Sequence, residues 1–203
     1  MKNASFIIVC FLLLHSCVGE DLVNDYVDPD LRISNAILSI PEGIQYQFTA
    51  RFFDELGTIK VRGDAAGIQE VCFVEACVNE TTTVPDHLVS CVKQLQQYFE
   101  GKRQQFDFNI NPQGTVFQKK IWGLLASLPF GRTLSYIKVA RSHGNTKAVR
   151  AVAAAIGKNP ILVAIPCHRV IGSDGSLVGY SGGIDRKRKL LQLEGYPMQT
   201  TLI

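Results

Sequence analysis

Acidic side chains nearly run out in the second half of this chain. Residues 117–203 hold 3 Asp and Glu against 13 Lys and Arg, a net of +10, whereas residues 1–116 hold 15 against 8, a net of −7. A half so poor in carboxylates suggests a polyanion partner, most often nucleic acid, with a merely solvated basic surface as the plainer alternative. Metal-ligand spacings are missing as well. The 6 cysteines include no CxxC pair, and Cys72, Cys77 and His87 form only a loose cluster, so no metal is expected. Long apolar runs are scarce: the run over residues 6–14 is too short to span a bilayer, and no membrane attachment is expected from it.

What that run does have is the form of a secretory signal. Lys2 precedes it, and small residues up to Gly19 and then Glu20 and Asp21 follow it. Residues 1–19 therefore read as a signal-like leader, an unusual extension, or an incorrectly assigned first exon. Residues 20–44, with Pro29, Pro41 and scattered acids, read as a linker. At 203 residues the remainder accommodates one domain or two small ones with a real core.

From residue 45 the pattern turns to alternation. Tyr46, Phe48, Ala50 and Phe52 predict a first strand, residues 58–62 a second, and residues 68–75 a third, with turns at 54–57 and 63–67. Asp86 is a candidate N-cap for a helix carrying Leu88, Val89, Val92, Leu95 and Phe99, which Gly101 closes. Three strands and a helix make a small α/β scaffold domain, residues 45–112, with no active site evident in it. Asn79 and Thr81 form a glycosylation site that matters only to a secreted chain.

Residues 113–197 form a second, α-rich domain. Phe117, Ile121, Trp122, Leu124, Leu125 and Leu128 predict an amphipathic helix ending before Pro129. A short helix over Tyr136–Ser142, a turn at residues 143–145, and a second helix over residues 147–156 capped by Thr146 make a helix-turn-helix pattern. The second helix has almost no long polar side chains: Lys147 and Arg150 stand among Ala148, Val149, Ala151, Val152, Ala153, Ala154 and Ala155. A helix that reads bases in the major groove normally carries Gln, Asn, Ser or several Arg. A thin helix with one projecting arginine suits backbone or minor-groove docking, and a buried core helix is the alternative. Asp185 caps a last helix, with Leu190, Leu191 and Leu193 inward and Arg186, Lys187, Arg188 and Lys189 outward, and Glu194 just inside Gly195.

Between these helices lies the stretch that carries chemistry. Residues 161–165 are all apolar, and Pro166, Cys167, His168, Arg169 and Val170 follow. The run predicts a buried strand that Pro166 stops, leaving Cys167 at its end. A free cysteine is ordinarily a small core hydrophobe. His168 and Arg169 are costly neighbours for an inert thiol, and both favour the thiolate. A nucleophilic Cys167 needs a reducing compartment, in conflict with the leader.

Pro166-Cys167-His168-Arg169, residues 172–175, Tyr180-Ser181-Gly182-Gly183 and residues 130–136 closely resemble the O6-alkylguanine-DNA alkyltransferases. The resemblance spans about residues 45–196 and is tightest over 117–195. It implies a ribonuclease-H-like N-terminal domain and a winged-helix-like C-terminal domain containing the helix-turn-helix. The implied reaction is direct, irreversible transfer of an alkyl group from guanine O6, with O4-alkylthymine as a further candidate lesion, to Cys167, with the base flipped out of duplex DNA. By resemblance His168 acts through a bridging water as base, Glu194 orients it, and Tyr136 presses on the phosphate and helps protonate the departing guanine at N3. Arg150 fills the gap in the stack; Lys147, Ala148, Ala151 and Arg169 join it in DNA binding. Asn159, Pro166, Val170, Tyr180 and Ser181 shape the substrate pocket. No cofactor is implied, and the protein is expected to act as an intracellular monomer.

Departures from the family pattern are modest: Ala153 stands where glycine is common, and Arg132 replaces a frequent glutamate. Members with an added four-cysteine domain are excluded by the acidic N-terminal half, and non-repairing lesion binders, which lack the cysteine, by Cys167. Two other function classes compete with repair: a helix-turn-helix lesion sensor or regulator without chemistry, and a secreted thiol protein.

Overall fold

The computed structural model describes residues 46–53, 56–74 and 84–197, which lie in one compact unit, residues 40–203. The leader, the linker, Cys77 and Asn79 lie outside the described residues. Among those described, no helix is long and apolar enough to cross a membrane.

The alternating segment forms β1 (Tyr46–Phe53), β2 (Gly57–Asp64) and β3 (Gly67–Val74), an antiparallel meander in that spatial order. Register sets Phe48 opposite Val61 and Val61 opposite Val71, and these three side chains are buried together with Ile59 and Ile68. Period-two alternation, with a bulge in β3 that sets Ile68 opposite Gly63, puts them on one face, where α1 (Asp86–Phe99) covers them with Leu88, Cys91, Leu95, Tyr98 and Phe99. Asp86 is not the N-cap. Pro85 holds that position with an extended ψ of 141° and makes no side-chain capping bond, and Asp86 is the acidic residue of the first turn.

The outer edge of β3 is where the rest of the chain attaches. Ile68 exchanges backbone hydrogen bonds with Asn109 and Asn111, and Val71 does so with Pro160 and Leu162, at 2.7–2.9 Å. The sheet thus fixes the segment that leads to the thiol.

That segment is not the buried strand its composition predicts. Only Ile161 bridges to Val71; residues 162–165 coil back, with Ala164 donating to the Leu162 carbonyl and Ile165 to that of Ile161. Val163 sits at φ 71°, a left-handed conformation that β-branched residues rarely adopt. Asn159 explains the departure: its Oδ1 accepts from Ile161 N at 3.0 Å, and its Nδ2 donates to Ile165 O at 2.8 Å. One side chain satisfies groups that a second ladder would otherwise have taken.

The C-terminal helices are α2 (Val116–Ala126), α3 (Tyr136–Ser142), α4 (Val149–Gly157) and α5 (Ile184–Leu193). A capping box between Thr115 and Gln118 starts α2. Trp122 is buried and donates its indole N–H to Ala155 O at 2.9 Å, fastening α2 to α4. A 3-10 turn, Thr146–Ala148, precedes α4, and the side chain that caps it is Asn145, accepting from Lys147 N, rather than Thr146. Gly183, at φ 91°, holds the N-cap position of α5; Asp185 is already inside the first turn and pairs with Arg188 at 2.6 Å. β4 (Leu134–Ser135) and β5 (Val170–Ile171) pair in parallel, bringing the start of α3 beside the residues after the thiol.

Candidate active site

Cys167 opens a 3-10 turn, Cys167–Arg169, instead of ending a strand. The tight turn splays three consecutive side chains, and they go different ways. Cys167 Sγ accepts a hydrogen bond from Asn159 Nδ2 at 3.1 Å, so the residue that shapes the backbone also touches the sulfur. His168 and Arg169 both turn to Glu194, the residue that ends α5.

Glu194 is the hub of this centre. Oε1 lies 2.8 Å from His168 Nε2, 2.8 Å from Arg169 Nη2 and 2.7 Å from Tyr98 Oη; Oε2 accepts from Arg169 Nε at 2.9 Å and Gly131 N at 3.1 Å. Burial works to raise the Glu194 pKa, but the hydrogen bonds and charges of His168 and Arg169 outweigh it and bring the carboxyl down to about 2. Gly131 suits the close approach: it sits at φ 68°, and a Cβ there would lie 2.9 Å from the Glu194 carbonyl.

An ionised carboxylate can only accept, so His168 Nε2 carries the proton and Nδ1 the lone pair. Nδ1 is buried without a protein partner. Burial lowers the His168 pKa, with Glu194 opposing and Arg169 and Lys187 assisting, so the ring is neutral and basic at Nδ1. Burial raises the Cys167 thiol to about 11, although the Asn159 hydrogen bond and the Lys187 charge pull downward. The resting group is a thiol beside a neutral imidazole. Neither His168 nor Arg169 supplies the thiolate-favouring charge expected of them, because one is neutral and the other is spent on Glu194.

Arg169 also fails as a DNA contact. It is 4% exposed, donates to the Leu128 carbonyl as well as to Glu194, and lies 5.8 Å from the centre of the Phe130 ring. Of the other residues expected to bind DNA, Lys147, Arg150 and Ala151 are exposed and Ala148 is half-buried, while Val152, Ala155 and Ile156 form the inner face of α4. The helix is therefore not a core helix.

Tyr136, at the start of α3, donates to the carbonyls of Val178 and Gly179 at 3.0 and 3.2 Å. Lys187 Nζ donates to the same two carbonyls at 2.7 and 3.3 Å and to Val170 O at 2.6 Å. It does not face outward: the residue is fully buried, and burial brings its pKa down to about 8 against the pull of the thiol. Tyr180 packs edge-on against His168, ring centres 6.4 Å apart, with its buried hydroxyl unpartnered. Pro166 and Val170 are buried and Ser181 is exposed. A cavity of about 370 Å³ lies between β2–β3 and this centre, lined by Cys72, Phe73, Asn159, Leu162 and Ser181 among others; Cys167, only 2% exposed, does not line it.

Sequence reading missed Tyr98 and the inward turn of Lys187. Both had a signal. Tyr98 follows Cys91 and Leu95 on the apolar face of α1, where a phenol needs a polar partner, and Lys187 precedes Leu190, Leu191 and Glu194 at helical spacing.

A meander with one covering helix, followed by a helical unit that exposes a lean basic helix and buries a thiol beside a histidine–carboxylate pair, defines a two-part protein. Residues 54–112 match the ribonuclease-like domain, and residues 116–196 the DNA-binding domain, of the 6-O-methylguanine DNA methyltransferases. The chain belongs to this family. It is 41% identical over 155 residues to a methylated-DNA–protein-cysteine methyltransferase of Methanosarcina acetivorans, a match covering 73% of this chain and 98% of that one. The crystal structure of Mycobacterium tuberculosis O6-methylguanine methyltransferase superposes with a TM-score of 0.65 at 35% identity, covering 77% of this chain and 97% of that one. The M. tuberculosis OGT in complex with DNA gives 0.65 at 37%, covering 73% and 92%.

Proposed function

We propose that this protein repairs alkylated DNA by transferring the alkyl group of O6-alkylguanine to its own Cys167. The observation that carries the reading is the thiol held by Asn159 next to a His168–Glu194 pair whose free ring nitrogen is unpartnered. In the reaction the sulfur–carbon bond forms as the carbon–O6 bond breaks. The thiol proton leaves by way of His168 Nδ1 through a bridging water, Glu194 stabilises the transient imidazolium, and the departing guanine takes up one proton, so charge and atoms balance. The thioether does not hydrolyse, and each chain acts once.

Residues 113–197 act as a winged-helix-like DNA-binding domain, with α3 and α4 as its helix-turn-helix, and residues 45–112 as a ribonuclease-H-like domain. Double-stranded DNA seats on α4 and the turn before it, where Arg150 replaces the extruded nucleotide in the stack and Lys147, Ala148 and Ala151 allow close approach to the backbone. Cys167 is 2% exposed, so the lesion reaches the sulfur only through a local opening of the site. Tyr136 then releases its carbonyl partners and donates toward the base, while Tyr180 and Ser181 line the pocket that Pro166, Val170 and Asn159 back. Exposure to O6-benzylguanine tests this: the folded chain gains one benzyl group at Cys167, and a folded chain that stays unmodified contradicts it.

A further inference from the structure

We infer that Tyr98, from the segment that matches the ribonuclease-like domain, is a positioning residue for the alkyl transfer, acting through Glu194 on the histidine base. The inference rests on the repair reading above and extends it to a residue outside the DNA-binding domain.

The geometry is specific. Tyr98 is fully buried, and its hydroxyl donates at 2.7 Å to Glu194 Oε1, the same oxygen that His168 Nε2 meets at 2.8 Å. The ring cannot swing away: it meets Phe99 edge-on at 5.3 Å, Phe106 at 5.5 Å and Phe130 edge-on at 6.1 Å. A hydroxyl so placed does two things. It fixes the carboxylate from α1, outside the DNA-binding segment, and it draws charge from the oxygen that faces the imidazole. With that donor present, Glu194 orients His168 without holding it protonated, and Nδ1 keeps its lone pair for the thiol proton. Other charged or titratable groups around the ring are Arg169 on the same carboxylate, Lys187 from α5, Cys167 beside it in the chain, and Tyr180 packed edge-on. All of these residues are retained when the Tyr98 hydroxyl is removed; Arg169 also meets that hydroxyl, so a change in the basicity of the ring is assigned to the hydroxyl together with its contacts to Glu194 and Arg169.

The test is the pH profile of benzylation by O6-benzylguanine, followed by intact mass on wild type, Tyr98→Phe, and a chain with 3-fluorotyrosine at position 98. Phe keeps the ring and removes the donor; the carboxylate then attracts the imidazolium more strongly, and the acid limb moves to higher pH. Transfer becomes about three- to tenfold slower on the acid side, with rates on the alkaline side within about twofold of wild type. Fluorotyrosine, a stronger donor that preserves packing, moves the limb the opposite way, and it carries the test if the Phe variant does not fold. Superimposable limbs in all three proteins, or uniform slowing at every pH, overturn the inference. Wild type that takes no benzyl group overturns the repair reading instead, and Cys167→Ala beside it identifies the acceptor.

Discussion

Asn159 ties the backbone of the thiol turn to the sulfur. Its amide bonds to Ile161 N, Ile165 O and Cys167 Sγ, closing the turn that carries the thiol and contacting the sulfur itself. Replacing it with Ala leaves the buried Ile161 N–H unpaired and the Ile165 carbonyl with only its bond from Cys167 N, a cost of about 1–3 kcal/mol. It also frees the sulfur to shift, slowing alkyl transfer by roughly tenfold or more. Urea denaturation and single-turnover benzylation measure the two losses, and a variant as stable and as fast as wild type would contradict the assignment. Part of the candidate site was legible in the sequence: His168 and Glu194 meet, and Cys167, next to His168 in the chain, is held by Asn159. Their local conformation was not. Five apolar residues in a row satisfy the composition of a strand equally well when a neighbouring amide takes over the backbone hydrogen bonds, and periodicity cannot register that exchange. Arg169 was misplaced for a related reason, since a cation beside a thiol looks the same in sequence whether it faces DNA or a carboxylate 25 positions away.

At the scale of elements, α4 presents Arg150, Ala151 and Ala154 to solvent, with Lys147 exposed on the turn before it, and keeps Val152, Ala155 and Ile156 inside, with Trp122 gripping its Ala155 carbonyl. Its orientation is therefore fixed by packing, while its outer face is left lean. Arg150→Ala removes an exposed side chain and leaves those contacts intact. Transfer from duplex DNA is expected to fall by roughly tenfold or more, because the extruded nucleotide leaves an unfilled gap. Reaction with free O6-benzylguanine, which needs no extrusion, stays within about twofold. Equal losses on both substrates would remove the residue from its role. Helix positions were legible to within a residue or two, because 3.6-residue periodicity and the breaks at Pro129 and Gly195 mark them. Caps were less so: Pro85, Asn145 and Gly183 hold the positions expected of Asp86, Thr146 and Asp185. In each case the expected residue lies one or two places inside, where side-chain type alone does not distinguish a cap from a first turn.

Over the whole molecule, the net of +10 on the second half and the burial of Glu194 have opposite consequences. The basic half suits a polyanion partner such as the DNA proposed above. The buried centre makes the fold sensitive to acid. His168 has a folded-state pKa below its ordinary 6.5, so the stability it contributes as a neutral ring is complete above that pH and begins to be lost below it. Glu194 is held at about 2 against an ordinary 4.5, so its contribution, on the order of 2–3 kcal/mol, is complete above 4.5 and drains away as pH falls toward 2. Urea midpoints measured from pH 7 to pH 3 are expected to decline in two stages, and a flat profile would contradict the buried His168–Glu194 pair. The scaffold role expected of the first half proves incomplete, since Tyr98 reaches the same carboxylate from α1. All of this serves a single sulfur, and its fate is the most direct measurement. The intact mass of folded wild type after excess O6-benzylguanine should rise by one benzyl group and no more, peptide mapping should place it on Cys167, and Cys167→Ala should stay unmodified. Wild type without the adduct, or an adduct that persists in Cys167→Ala, would contradict the account.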